Sequence, residues 1–88
     1  MKIKQGFELV DLANDHLAVP VGEEAASFNG MVALSEAAYY LLRQMETPRS
    51  EEELLELLLQ EYEVDPAVAK EDLERLLTEL SEIGVIEE

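Results

Sequence analysis

His16 is the chain's one histidine, and Asp11 and Asp15 stand close to it in sequence. A histidine beside a carboxylate is a common starting point for general acid and base chemistry. Here, however, it falls next to a hairpin turn at the start of a strand, where the expected role is solvated surface. No serine joins it in a nucleophilic triad pattern, and there is no H-E-x-x-H, E-x-x-H or glycine-rich phosphate loop. Nucleophilic, zinc and di-iron chemistry therefore lack their ligands. The acidic runs Glu51–Glu53 and Glu61-Tyr62-Glu63 lack the alternating oxygen ligands and central glycine of a calcium loop, and read as solvated helix surface. Tyr39-Tyr40 and Tyr62 lie among leucines and read as core or half-buried rim. The expectation is no catalytic residue, no metal and no cofactor, so binding becomes the function to look for.

Composition narrows what could be bound. The 88 residues carry 21 acidic and 6 basic side chains, a net charge of −15, and 48% are hydrophobic. That charge disfavours phosphate backbones and anionic membrane surfaces. A chain this short buries only about 60–65% of its unfolded surface, so one domain over residues 1–88 is expected, and an open apolar groove would be a liability unless a partner covers it. With no cysteine there is no disulfide framework, which suits a reducing cytoplasm. The N-terminal MKIKQGFELVD holds no apolar run of signal-peptide length, and no stretch approaches the ~20 apolar residues of a membrane span. The charge is uneven: residues 1–45 hold 6 acids against 3 bases, and residues 46–88 hold 15 acids against 3. Without a linker between them, the two halves read as a change of secondary structure inside one domain.

In the first half, FELVDLA and HLAVPV flank Asn14-Asp15, read as a two-residue hairpin turn. Closing the hairpin there pairs Leu12 with Leu17 and Val10 with Val19 on one face, and Asp11 with Ala18 and Ala13 with His16 on the other. Pro20 should end regular pairing, Gly22-Glu23-Glu24 should turn the chain, and a third strand is expected over about Ala26–Ala33. It would set Phe28, Gly30 and Val32 on one face and Ser27, Asn29 and Met31 on the other. In the second half Ser35 is the N-cap of a first helix with Ala38, Leu41, Leu42 and Met45 inward. Ser50 and Glu53 form the capping box of a second. Asp65-Pro66 opens a third, with Ala69, Leu73, Leu76, Leu77, Leu80 and Ile83 at three-and-four spacing, and Gly84 closes it with Val85 against Leu80. The fold class is α+β: a small three-stranded antiparallel sheet followed by three helices.

Such a meander ends in an edge strand whose N–H and C=O groups are unpaired. SFNGMVA carries no charge and no proline to blunt that edge, so an extended peptide could add to it as a fourth strand, unless a helix covers it.

Three passages, GFELVDLANDHLAVP, FNGMVALSE, and EYEVD followed by L-x-x-L-x-x-x-G-V-I, resemble in order and spacing the PqqD-like proteins, over nearly the whole chain. The resemblance implies a winged-helix-like domain of three strands and three helices. It further implies a non-catalytic recognition element that binds the leader segment of a ribosomally made precursor peptide and presents it to a modifying enzyme, often a radical S-adenosylmethionine enzyme. Carried over residue by residue, the strand role falls on Ser27, Phe28, Asn29, Gly30, Met31 and Val32. The helix wall of the cleft falls on Leu73, Leu76, Leu77 and Leu80, to be divided between core and groove. Where family members often open the first helix with an Asn-Glu-Thr-Gly-like start and a Trp, this chain has Ser35-Glu36-Ala37-Ala38-Tyr39-Tyr40, which favours a general peptide-modification role over quinone synthesis itself. Two rival readings are a winged-helix DNA-binding regulator and a homodimeric interaction module joined at its sheet edge. The first is opposed by the third helix, which sets Lys70 and Arg75 against Glu71, Asp72, Glu74, Glu79 and Glu82.

Overall fold

The computed structural model describes residues 1–27 and 30–87, with Ala26 and Ser27 described by backbone alone. In chain order the elements are β1 (Lys2–Ile3), β2 (Phe7–Leu12), β3 (Asp15–Pro20), α1 (Glu23–Ser27), β4 (Val32–Leu34), α2 (Glu36–Gln44), α3 (Glu51–Glu61), α4 (Pro66–Ile83) and β5 (Ile86–Glu87). Strands β2, β3 and β4 form an antiparallel sheet in that order, and β1 pairs with β5 in a separate two-stranded ladder.

The three long helices begin and end where local chemistry satisfies their loose backbone groups. Ser35 Oγ accepts from the Ala38 N–H at 3.1 Å, and Asp65 Oδ1 accepts from the Ala67 N–H at 2.9 Å ahead of Pro66. At α3 the box is reciprocal: the Glu53 N–H donates to Ser50 Oγ at 3.1 Å, and the Ser50 N–H donates to Glu53 Oε1 at 3.0 Å. Gly84 takes the left-handed conformation, φ 94°, and the N–H groups of Gly84 and Val85 both donate to the Leu80 carbonyl at 3.0 Å.

Packing follows from those registers. Leu41, Leu42 and Met45 of the α2 segment form one core with Leu54 and Leu58 of α3 and Ala69, Leu73, Leu77 and Leu80 of α4, all buried, and Ala38 is buried as well. Ile83 departs from the expected stripe and is 43% exposed, because the core has already ended at Leu80 and Val85 takes the interior place beyond the cap. The N-terminal residues stitch across the helix ends: the Ile3 N–H donates to Met45 O at 3.0 Å and the Lys4 N–H to Val85 O at 2.7 Å.

The sheet corrects the sequence reading in two ways. The hairpin turns at Ala13-Asn14 rather than Asn14-Asp15, with Ala13 itself at φ 49°, and the pairs are Leu12 with Asp15, Asp11 with His16, Val10 with Leu17, Leu9 with Ala18, Glu8 with Val19 and Phe7 with Pro20. The buried face is then Phe7, Leu9 and Ala18, while Val10, Leu12, Leu17 and Val19 share one face as expected, though with other partners, and that face is the outer one. The third strand is also shorter than Ala26–Ala33. Glu23–Ser27 forms the short helix α1, Gly30 bends the chain at φ 89°, and pairing with β3 spans only Val32–Leu34. Glu-Glu-Ala-Ala is a good helix-forming run, and nothing apolar alternates within it to favour a strand.

Two outcomes are expected from chemical denaturation. Leu42→Ala should cost about 2–5 kcal/mol of folding stability, and Ile83→Ala less than about 1 kcal/mol. The second concerns acid. The Ser50 N–H and hydroxyl bonded to Glu53 hold its carboxyl below the ordinary glutamate range. A carboxylate depressed in the folded state contributes stability at neutral pH and loses it as pH falls through that range. The stability difference between the wild type and Glu53→Gln should therefore narrow on acidification from pH 7 to pH 3.

Candidate functional site

The free side of the sheet is the starting point, because hydrogen-bonding direction alternates along an antiparallel strand. A two-residue turn makes Leu12 and Asp15 a mutually bonded pair, and the Val21 N–H donating to Gly6 O at 2.7 Å continues the same alternation past Pro20. Residues 15, 17 and 19 of β3 thus bond to β2, and His16 and Ala18 bond to Leu34 and Val32 of β4. What β4 presents outward is the N–H and C=O of Ala33. No other strand pairs with that edge among the described residues, and Val-Ala-Leu has no charge or proline to protect it.

This moves the expected edge toward the C-terminus. Of the six residues assigned to it, only Val32 lies in β4, where it is half-buried and packs on the core. Ser27 ends α1, Gly30 sits at the bend, and Met31 precedes the strand with 62% of its surface exposed. Phe28 and Asn29 lie outside the described residues.

Three residues beyond the end of β4, Ala37 joins the wall of a cavity of about 190 Å³. Leu41 completes the α2 side, Leu58 and Tyr62 close it from the end of α3, and Val64, Ala69, Asp72, Leu73 and Leu76 supply the rest. The lining is apolar except for Asp72 and the Tyr62 hydroxyl. Its volume is well below the 300–1,000 Å³ of a typical small-molecule site, so it suits one inserted side chain better than a metabolite. Ala37 of α2 and Ala69 of α4 are the smallest side chains on its lining. Tyr62 is fixed by an edge-to-face contact with Tyr40, ring centroids 6.0 Å apart, and the Tyr40 hydroxyl donates to Leu57 O at 3.3 Å. Burial, reinforced by nearby Glu36 and Glu61, pushes the Tyr62 hydroxyl up from its ordinary pKa, so it stays a neutral donor.

The four leucines expected to form a helix wall divide sharply. Leu73, Leu77 and Leu80 are buried core, Leu73 also reaching the cavity, and Leu76 is half-buried on its lining. The sequence reading did not single out Ala33, Ala37 or Val64. Small residues on two helices, Ala37 and Ala69, were the available signal for the space.

His16 is half-buried rather than solvated, contrary to expectation. Its ring stacks on Tyr39 with centroids 4.8 Å apart, and Arg43 lies over the other ring partner at 5.7 Å from the Tyr39 centroid. Its Nδ1 is 3.3 Å from Asp11 Oδ1, an ion-pair distance without the geometry of a hydrogen bond. That nitrogen is closed to solvent, so the ring works as a packing element between sheet and α2. Among the described residues no cluster of His, Cys, Asp or Glu could hold a metal ion, and no helix is long and apolar enough to cross a membrane.

The surface charge is one-sided. Lys2, Lys4, Arg43, Arg49 and Arg75 each lie within 4.0 Å of a carboxylate of this same chain, on Glu87, Glu24, Glu46, Glu53 and Asp72 respectively. Among the described residues most of the remaining acids have no basic side chain within ion-pair distance.

Comparison with known proteins bears on this geometry. The family model described as coenzyme PQQ synthesis protein D (PqqD) matches residues 9–86. No curated protein matches the chain. Among solved structures, TbiB1 in complex with the TbiA(beta) leader peptide superposes with a TM-score of 0.78 at 18% identity, covering 99% of this chain and 95% of that one. Lasso peptide synthetase B1 complexed with the leader peptide gives 0.74 at 19% identity, covering 94% and 92%. At these identities the likeness is one of fold.

Stability measurements on the leucines provide the check. Leu77→Ala and Leu80→Ala should each cost about 2–5 kcal/mol, and Leu76→Ala, half-buried on an existing space, about 1 kcal/mol.

Proposed function

The chain belongs to the PqqD family, and we propose that it is a non-catalytic recognition element that binds the leader segment of a ribosomally made precursor peptide as an added strand on β4. The observation that carries this reading is the uncharged, unpaired edge at Ala33 followed directly in the chain by an apolar cavity sized for one side chain. The leader complexes formed by the two solved structures of like fold support it.

Magnitudes divide the work between edge and cavity. Strand β4 is three residues long, so Ala33 gives an incoming strand one N–H and one C=O. Each net hydrogen bond is worth about 0.5–1.5 kcal/mol, whereas seating one Leu- or Phe-sized side chain in apolar surroundings is worth about 1.5–3 kcal/mol. The edge therefore fixes direction and register, and the cavity supplies the larger share of affinity. The surplus of carboxylates selects a leader with basic residues beside its apolar anchor, speeds encounter and rejects acidic competitors. Presentation then follows, to a modifying enzyme for which the radical S-adenosylmethionine class is our assignment, in the cytoplasm where such precursors are made.

Proline tests the strand, because it deletes one donor without touching a side-chain pocket. Ala33→Pro should leave the β3 ladder intact and weaken binding of a fluorescently labelled leader by about tenfold, whereas Val32→Pro should lower thermal stability by removing a ladder donor. An Ala33→Pro protein that folds and binds with unchanged affinity would show that the leader does not pair along this edge. Raising the salt concentration should weaken the complex in the wild type, and an affinity flat with salt would remove the electrostatic part.

A further inference from the structure

Antiparallel sheets with one face on a core ordinarily turn polar residues to the other. This sheet does not. Its outer face carries Val10 and Leu17 as a directly opposed pair, Val19 and Leu12 to either side of them, and Ala33 of β4 beside Leu17. Leu12 is 56% exposed, and Val10, Leu17 and Val19 are half-buried without belonging to the residues packed on the core. The remaining residues of this face on β2 and β3 are Glu8 and Asp15, which lie at opposite ends of the hairpin. Strands β2 to β4 contain no lysine or arginine.

Size and charge together describe what would cover it. Three strands spaced about 4.8 Å apart present a face about 10 Å wide, and a six-residue strand is about 20 Å long. One α-helix is about 10 Å across, and about four turns of it match that length. A second copy of this chain is a poor occupant. It would set Glu8 and Asp15 against their own equivalents and −15 against −15. The area is also far below the ~800 Å² per partner of a standard stable interface. We propose that the outer face of the sheet is a docking surface for an amphipathic helix with an apolar stripe and basic flanks, carried by a different protein. Leu17, Val10 and Val19 receive the stripe, and Glu8 and Asp15 attract the flanking lysines or arginines from the two ends. The small area makes this a transient contact. The residues that receive the stripe sit on β2 and β3, apart from the outward backbone groups of Ala33 and from the residues that line the apolar cavity.

The probe is a labelled synthetic helix of about 18 residues with leucines at i, i+3, i+4 and i+7 spacing and lysine flanks, compared with the same helix flanked by glutamates, each titrated with the full chain at concentrations where the probe is monomeric. The lysine-flanked helix should bind at least tenfold more tightly than the glutamate-flanked one. Leu12→Glu removes apolar surface while making the chain more acidic, so it separates docking from general attraction. It should weaken the lysine-flanked helix at least fivefold while leader affinity is retained. Methyl resonances of Val10, Leu17 and Val19 should shift on titration into the wild type. Equal binding to the wild type and Leu12→Glu, methyl shifts confined to other surfaces, no preference for lysine flanks, or a dimer of this chain that Leu12→Glu dissolves would each overturn the proposal. None of these results would alter the reading of the β4 edge, which the Ala33→Pro measurement tests separately.

Discussion

Three strands have two faces, and the helices of this chain cover one. That constraint organises the molecule. Phe7, Leu9, Ala18 and Val32 turn inward onto Met45 and the leucines of α2, α3 and α4, and the core closes at Val85 behind the Gly84 cap. Among the described residues no strand pairs along the far side of β4, and Val10, Leu17 and Val19 of the outer face are not packed on the core. The surfaces available for binding are thus the remainder left by an efficient burial of the other side, rather than features added to a finished fold.

The two kinds of surface differ in what they can specify. A strand edge offers backbone groups that are the same for every sequence, so it can align a peptide but scarcely choose one. A ligand in the cavity between α2, α3 and α4 would be selected by shape, since its lining includes Ala37, Ala69 and the Tyr62 ring held against Tyr40. Charge acts over a longer range than either. With five of the six basic side chains already beside carboxylates of the same chain, the field outside the molecule is that of its acids.

The helices were legible in the sequence because their signals are local. Ser35, the Ser50/Glu53 box, Asp65-Pro66 and Gly84 each act within a few residues, and all four stand where their types predicted. The hairpin was not legible in the same way. Both faces of β2 and β3 carry apolar residues, so alternation could not say which face was inner, and the apparent match of Leu12 with Leu17 pointed to a register that the turn at Ala13-Asn14 does not allow. An edge strand was anticipated in the right part of the chain, yet Ser27 and Val32 ended up in different elements because Glu23–Ser27 satisfied its backbone as a helix. Of the helix wall, the periodicity of Leu73, Leu76, Leu77 and Leu80 gave the face but not the depth. Depth is decided by what stands opposite, and a space opposite alanines has no mark in the pattern of the leucines.

The pairing of Tyr40 with Tyr62 has an optical consequence. The chain has no tryptophan and three tyrosines, so Tyr39, Tyr40 and Tyr62 dominate its ultraviolet emission over the weak phenylalanines. One of them forms part of the cavity wall and a second rests edge-on against it, while Tyr39 lies apart under Arg43 and beside His16. A side chain entering the cavity alters the polarity and quenching around the Tyr62 ring and, through the edge contact, around Tyr40. Occupancy is thereby written into the protein's own emission, and a ligand that contains neither tyrosine nor tryptophan can be followed as it binds with no label on either molecule.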